Sequence, residues 1–511
     1  MWGIVLFVLS KVSTAEDAVP SKQKSRQRQV SEKVELEEHR QRRPTLRRQK
    51  SRDTDKVTLE TVMSEFYLSN KTLHRMISQM DSDMDRGLIG GLQASTIAML
   101  PSFVPELPDG SERGRFLAMD LGGTNLRVML MEIGEEGRVH TEQRNYRTPN
   151  WAMGGTGAKL FDFIVKSLAD FLEEKELKDA GLALGFTFSY PCDQTGLRSA
   201  KLLRWTKGFN ASGVEGHDVV EILEEAIKRR GDIDVRVVAL VNDTVGTQVA
   251  TAFESGACDL GVIIATGTNA SYMERMEKIE KLGDRSQNYS YKKMIIDTEW
   301  GGFGDRYEAE YIITQYDREI DQSSVHPGVQ IFDKLVAGMY MGEIVRMVLV
   351  KLIKAGIIFD GMGSEVIETP MSFPTKYISE ILSDEGGTYY NTRQILDELA
   401  IDVFEFNDIL VMREVCMAVS RRSANLAAAA IACCMKRVAK RNIRVGIDGS
   451  TYRYHPFYHY WVQDKVRELI GPDVDFNIVQ AGDGSGKGAA LVAAIAEKMR
   501  IERDQIPNGT I

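Results

Sequence analysis

The sequence holds 511 residues, 43% of them hydrophobic, with 64 Lys+Arg against 73 Asp+Glu and a formal net charge of −9. That much apolar material supports two or three domains with large cores, and the lack of a basic balance argues against nucleic acid as a principal partner. The five cysteines, Cys192, Cys258, Cys416, Cys433 and Cys434, follow no metal-site or knot spacing, which fits a reducing cytosol.

At the start, "MWGIVLFVLS" is too short to span a bilayer and lacks the basic lead of a signal peptide, although "VSTA" imitates a cleavage site. A cytoplasmic protein is expected, with docking of this run on a membrane, such as the mitochondrial outer surface, as the alternative. Residues 12–56, with "SKQKSRQRQ" and "RRPTLRRQKSR", have few large apolar side chains, so residues 1–56 read as a disordered charged extension. The basic stretch offers Thr45 and Ser51 for phosphorylation or an acidic surface to bind, against the plain alternative of a solvated tail.

Helical periodicity begins near Val57 and runs through "LETVMSEFYLSNKTLHRMISQMDSDMDRGL" to a proline-marked loop, "LPSFVPELPDGSERG". Strands and helices then alternate, which predicts an α/β architecture with substantial sheets. The strands are "RFLAMD", "LRVMLMEI", "GLALGFTFS", "VRVVALV", "LGVIIAT" and "IRVGIDG". The helices are "LFDFIVKSLADFLEEKEL", "VVEILEEAIKRR", "GEIVRMVLVKLIKAG" and "REVCMAVSRRSANLAAAAIACCMKRVAK", the last so rich in Ala that close helix packing is expected.

Two turns echo each other. "FLAMDLGGTNLRVMLMEI" and "LGVIIATGTNASYMER" are each strand, tight turn and strand, with G-T-N in the turn. One would be a hairpin; two suggest duplicated lobes whose turns hold phosphate across a cleft. Near the C-terminus "AGDGSGKGAALVAA" imitates a P-loop. The pattern's first glycine would fall on Ala481 and its metal-binding hydroxyl on Gly488, so the match fails. A glycine-rich turn at the start of a helix is the plainer reading.

The ordered pieces "LAMDLGGTNLRV", "LGFTFSYPC", "WTKGF", "VALVNDTVGT", "ATGTNASYME", "DTEWGGFGD", "GIDGSTYRYHP" and "GDGSGKGAA" together resemble the eukaryotic hexokinases of the actin-like sugar-kinase superfamily, over about residues 57–500. The length fits one such unit with an N-terminal extension. The resemblance implies a two-lobed actin-like (ribonuclease H-like) α/β ATPase fold with a nucleotide and sugar cleft between the lobes. Residues 57–252 would form the N-terminal part with the small lobe. Residues 253–500 would form the large lobe, with the last helix returning toward the small lobe, and 501–511 a tail. The implied activity is transfer of the γ-phosphoryl of ATP to the 6-hydroxyl of glucose and related hexoses, with Mg²⁺. The alternatives are another sugar preference or a catalytically weak sugar sensor. A monomer or weak homodimer is expected.

By the same resemblance Asp243 is the catalytic base, with Lys207 beside it, and the sugar contacts are Ser189, Thr206, Lys207, Asn242, Asp243, Asn269, Glu299 and Asp333. Read alone, Asp243 at the end of "VVALVND" is equally an N-cap for the helix that follows; the positive end of that helix favours a carboxylate there. Asp333 stands where the family has Glu, one methylene longer. For the nucleotide, Gly122 and Gly123 turn the backbone toward phosphate, with Thr124, Asn125 and Arg127 beside them. Asp120 would hold Mg²⁺ through water. Thr266, Gly267 and Thr268 would hold phosphate from the other lobe. Ala265 replaces a common Gly there, so φ must stay negative at that position. Asp448, Gly449, Ser450, Ser485, Gly338 and Met339 would line the adenosine end.

Overall fold

Two sheets carry the fold, and they repeat one pattern. In the computed structural model, which describes residues 57–505 apart from Thr124, Glu136 and Lys207, the first sheet is built from β2 (Gly114–Leu121), β3 (Asn125–Ile133), β4 (Val139–Arg147), β5 (Leu182–Phe188) and β8 (Val235–Val241). A separate ribbon pairs β6 (Cys192–Gly196) with β7 (Ser199–Leu202). The second sheet joins the short β1 (Leu100–Pro101) to β9 (Leu260–Ile264), β10 (Thr268–Arg275), β11 (Lys293–Asp297), β12 (Asn442–Asp448) and β13 (Asp475–Gln480). The strand orders are β4-β3-β2-β5-β8 and β1-β11-β10-β9-β12-β13. In each, antiparallel strands (three in the first sheet, four in the second, where the short β1 is added at the edge) are followed by two parallel ones. The two G-T-N turns sit at equivalent places, β2 to β3 and β9 to β10. The expected duplication is therefore a repeat of topology.

Burial explains which strands the sequence reveals. Every residue of β5 and β9 is buried, and both read as continuous apolar runs between covered faces. By contrast β4, "VHTEQRNYR", is exposed or half-buried along its length. Its charges suit an edge that must not pair with another chain.

Helices cover both sheets. Gly157–Glu174 and Val219–Arg230 pack with the apolar residues on one face of the first sheet. The 33-residue helix Phe406–Val438 anchors the core of the second; its run Ala427–Ala430 is fully buried, as the close packing expected of it requires. Within that core Arg422 forms a bidentate ion pair with Asp317, both contacts 2.7 Å. The N-terminal helical segment is two helices, Leu59–Ser64 and Asn70–Ala94, each capped by a preceding hydroxyl, Thr58 and Ser69.

Two further helices fill the space between the sheets: Asp243–Ser255 and the C-terminal Gly484–Gln505. The second runs beyond residue 500, where the tail was expected to begin. The two cross closely. A Cβ on Gly488 would stand 2.1 Å from the Gly246 carbonyl oxygen and 2.2 Å from its Cα. Two of the glycines that imitate a P-loop, Gly484 against Thr247 and Gly488 against Gly246, thus serve this crossing, and Lys487 pairs with Glu254 at 2.7 Å. The expectations for residues 1–56 and for the tail after 505 lie outside the described residues.

Candidate active site

Strand ends converge on one cleft of about 350 Å³. Asp120 comes from the end of β2, Ser189 follows β5 and Asn242-Asp243 follow β8; Glu299 follows β11 and Asp448-Gly449 close β12. The carboxyl ends of sheet strands are where α/β folds bind ligands. The cleft also takes in Gly122, Gly123, Thr206, Thr266, Gly267, Thr268, Asn269, Asp333, Met339 and Ser485. Residues far apart in sequence are therefore gathered as the sequence reading anticipated. Thr124 and Lys207 lie outside the described residues.

Asp243 is the first residue of its helix. The cap is Asn242, whose Oδ1 accepts from the Thr244 amide and hydroxyl, both at 2.9 Å. The capping role considered for Asp243 thus falls to its neighbour, which leaves Asp243 half-buried at the cleft wall. Asp120 accepts from the Ser485 hydroxyl at 2.7 Å. Burial pushes the Asp120 carboxyl up to about 6; the Ser485 hydrogen bond and Arg127 oppose the rise, and the charges of Asp243 and Asp483 add to it.

Other side chains of the cleft hold one another. Asn269 Nδ2 donates to Glu299 Oε1 at 2.9 Å and to Asp297 Oδ1 at 2.7 Å, and Asn242 Nδ2 reaches Glu299 Oε1 at 3.5 Å. Glu299 has φ 51 and ψ 44, the left-handed region, a costly backbone for a non-glycine residue and one that clusters at functional sites. Asp333, on the short helix Ile331–Val336, accepts the Thr268 amide at 2.6 Å, so its carboxylate braces the turn at Thr266–Thr268 while lining the cleft. Thr206 is carried on a loop fixed by aromatic packing: Trp205 stacks on Phe209 with centroids 5.4 Å apart, and its indole donates to the Ala211 carbonyl at 2.8 Å.

Ala265 keeps a negative φ, as its Cβ requires, and its carbonyl accepts the Gly338 amide at 2.8 Å. Gly449 does need to be glycine: its φ is 126, and a Cβ there would lie 2.3 Å from the Ile264 carbonyl oxygen. Asp448 ties the loops together, accepting from Arg453 at 2.9 Å and from the Gly484 amide at 2.9 Å.

Several expected residues stand elsewhere. Gly338 and Ser450 line an adjoining cavity of about 550 Å³ that shares Ala265, Thr266 and Met339 with the cleft. Ser485, expected with them at the adenosine end, has its hydroxyl on Asp120. Asn125 and Arg127 do not line the cleft; Arg127 pairs with Asp483 and donates to Asn145 at 3.3 Å. Sequence reasoning missed Arg204, His326, Gln330 and Lys334 in the cleft, Thr375, Lys376 and Tyr454 in the adjoining cavity, and Asp297 behind the sugar wall. Asp297 was within reach, since it ends an apolar strand as Asp120 does.

Comparison with known proteins agrees with this geometry. Two hexokinase family models match residues 58–253 and 259–495. The chain is 63% identical to a hexokinase of Brugia malayi over 450 residues, 88% of this chain and 79% of that one. It is 42% identical to human Hexokinase-1 over 86% of this chain, which spans about half (48%) of that longer relative. The solved hexokinase of Schistosoma mansoni complexed with glucose matches with TM-score 0.81 and 40% identity, covering 86% of this chain and 98% of that one. Family models that together span most of the chain, paired strand-turn-strand lobes and one shared cleft lead to the same conclusion: the chain belongs to the hexokinase family.

Proposed function

We propose that the protein transfers the γ-phosphoryl group of ATP to the 6-hydroxyl of glucose and related hexoses, giving hexose 6-phosphate, as the first step of glycolysis. The observation that carries this is the position of Asp243. It lines one cleft together with Asp120, the Gly122-Gly123 turn, Asn269, Glu299 and the second turn at Thr266–Thr268. A sugar hydroxyl bound in that cleft would have a carboxylate for its proton and the backbone amides of the two turns for the phosphate.

Phosphoryl transfer asks for positioning and charge stabilisation more than for covalent chemistry. Asp243 orients the 6-hydroxyl in line and takes its proton as the new bond forms. Ser189, Thr206, Asn242, Asn269, Glu299 and Asp333 pair the ring hydroxyls, with Lys207 assigned beside Asp243. Such a pocket rejects analogues that leave its polar groups unpaired. Gly122, Gly123, Thr266, Gly267 and Thr268 fix the phosphates, and Gly338, Met339, Asp448, Gly449 and Ser450 line the way to the base.

The residues fit a Mg²⁺ that arrives with ATP. Among the described residues no group of three or more His, Cys, Asp or Glu forms a metal cage. Asp120 is one carboxylate in an electronegative corner whose proton affinity burial has already raised. One carboxylate, phosphate oxygens and water suit this ion. Bound there, Mg²⁺ would neutralise charge on the transferred phosphate. Asn125, Thr124 and Arg127 complete the proposed nucleotide set, Arg127 once released from Asp483.

A cytoplasmic monomer or weak dimer is the reading for cellular state. The support for the compartment is that all five cysteines are buried and free, as suits a reducing environment. No observation favours the catalytically weak sensor. A steady-state assay with Mg-ATP and a panel of glucose, mannose and fructose tests the proposal; absence of turnover on every hexose would overturn it.

A further inference from the structure

Behind the sugar wall lies a second carboxyl group. Asp297 is the last residue of β11 and is 5% exposed. It stands two residues before Glu299, whose backbone amide donates to Asp297 Oδ1 at 3.4 Å. Both also accept from one atom, Asn269 Nδ2, at 2.7 Å for Asp297 and 2.9 Å for Glu299. The amide cannot turn over, because its oxygen accepts from the Ala270 amide at 2.8 Å and the Thr298 hydroxyl at 3.3 Å. Two carboxyl groups gathered on one amide nitrogen do not both ionise readily, because each charge disfavours the other.

We propose that Asp297 is a positioning residue for the sugar site: it holds the proton of a carboxyl pair, fixes the Asn269 amide and so presents Glu299 as the ionised acceptor for a sugar hydroxyl. This rests on the reading of the cleft as a hexose site. The proton belongs on Asp297 because it is the more deeply buried member, while Glu299 is half-buried and lines the cleft.

The surroundings agree. Burial, then the neighbouring Glu299, raises the Asp297 carboxyl well above its ordinary value, and Asp243 adds to the rise from its helix. The strand partners opposite are the uncharged Ser271 on β10 and Leu100 on β1. Lys281 feels Asp297, but its ammonium donates to the Ala98 and Met99 carbonyls at 2.6 and 2.5 Å, and burial pushes it down to about 8. Cys192, which feels both carboxyl groups, has its thiol raised well above the ordinary value by burial and stays neutral. As pH rises through the ionisation of Asp297, the new charge repels Glu299 and loosens Asn269, and sugar affinity falls.

The test is calorimetric glucose binding, with kcat and KM, across the pH range in which the protein stays folded, for the parent, Asp297→Asn and Asp297→Ala. The parent Kd is expected to rise with pH. Asp297→Asn carries a permanent neutral donor, so its Kd stays within about twofold of the parent's neutral-pH value and loses the pH slope. Asp297→Ala leaves buried partners unsatisfied and weakens binding by about 10- to 100-fold, with the loss falling on KM more than on kcat. If Asp297→Asn keeps the parent's slope, or binds as weakly as Asp297→Ala, the proposal is overturned; should Asp297→Ala fail to fold, Asp297→Asn alone decides it. A parent that does not phosphorylate any hexose would sink the functional reading instead, whatever the binding slopes.

Discussion

Gly488→Ala probes the helix crossing that sets the cleft. The added methyl would stand 2.1, 2.2 and 2.3 Å from the carbonyl oxygen, Cα and carbonyl carbon of Gly246. All three are backbone atoms, so no side chain can swing aside, and ordinary contact needs the helices to part by roughly 1 Å. Overpacking of this kind costs about 1–3 kcal/mol, a fall in Tm of about 1–3 °C for a chain of this size. The same movement displaces the helix starts that carry Asp243 and Ser485 and strains the 2.7 Å Ser485–Asp120 hydrogen bond. A misplacement of about 1 Å at reacting groups costs up to about 100-fold in rate. Gly482→Ala is the control, because a methyl there meets nothing within 4 Å and φ is not in the left-handed region. Thermal unfolding and steady-state turnover of both variants are the assays. Parent-like Tm and kcat in Gly488→Ala would refute the claim that the crossing needs a glycine at this position.

Other expectations follow from the site. Asp120 must be ionised to face a cation, and with its carboxyl pushed up to about 6, kcat/KM for Mg-ATP should fall as pH drops through that value. Ser485→Ala removes a hydrogen bond that favours the ionised form, so the acid limb of the pH profile should move to higher pH; an unmoved or lowered limb contradicts the assignment. Asp333→Ala removes the carboxylate that holds the Thr268 amide at 2.6 Å. KM for ATP should therefore rise along with KM for glucose, each by about tenfold for a lost charged hydrogen bond, and a rise confined to glucose would show that the brace is idle.

Much of the fold was legible because its central strands are continuous apolar runs, and because Asp120 and Asp243 interrupt such runs at their ends. The repeated G-T-N turns gave away the duplication. The edge strand β4 was not legible, since its residues are neither apolar nor alternating. Nor was the break between Ser64 and Asn70, where the helical period continues through a turn. The P-loop imitation misleads for a physical reason: close helix crossing and phosphate cradling both ask for glycines at short spacing, and only the partner, here Gly246, distinguishes them. Gln330, Lys334 and Lys376 carry no local signal, because tertiary folding alone brings them to a cavity wall. The carboxyl pair of Asp297 and Glu299 is visible as "DTE" in the sequence, but the shared amide of Asn269 is what gives it meaning.

The central claim is that Asp243 steers and deprotonates the attacking hydroxyl in a cleft that other residues build. The most direct measurement compares glucose binding and turnover in Asp243→Ala. The account predicts that glucose still binds and that kcat falls by about 10²–10⁴, the usual share of a positioned acid–base group. A variant that binds glucose and turns over at near the parent rate would contradict it.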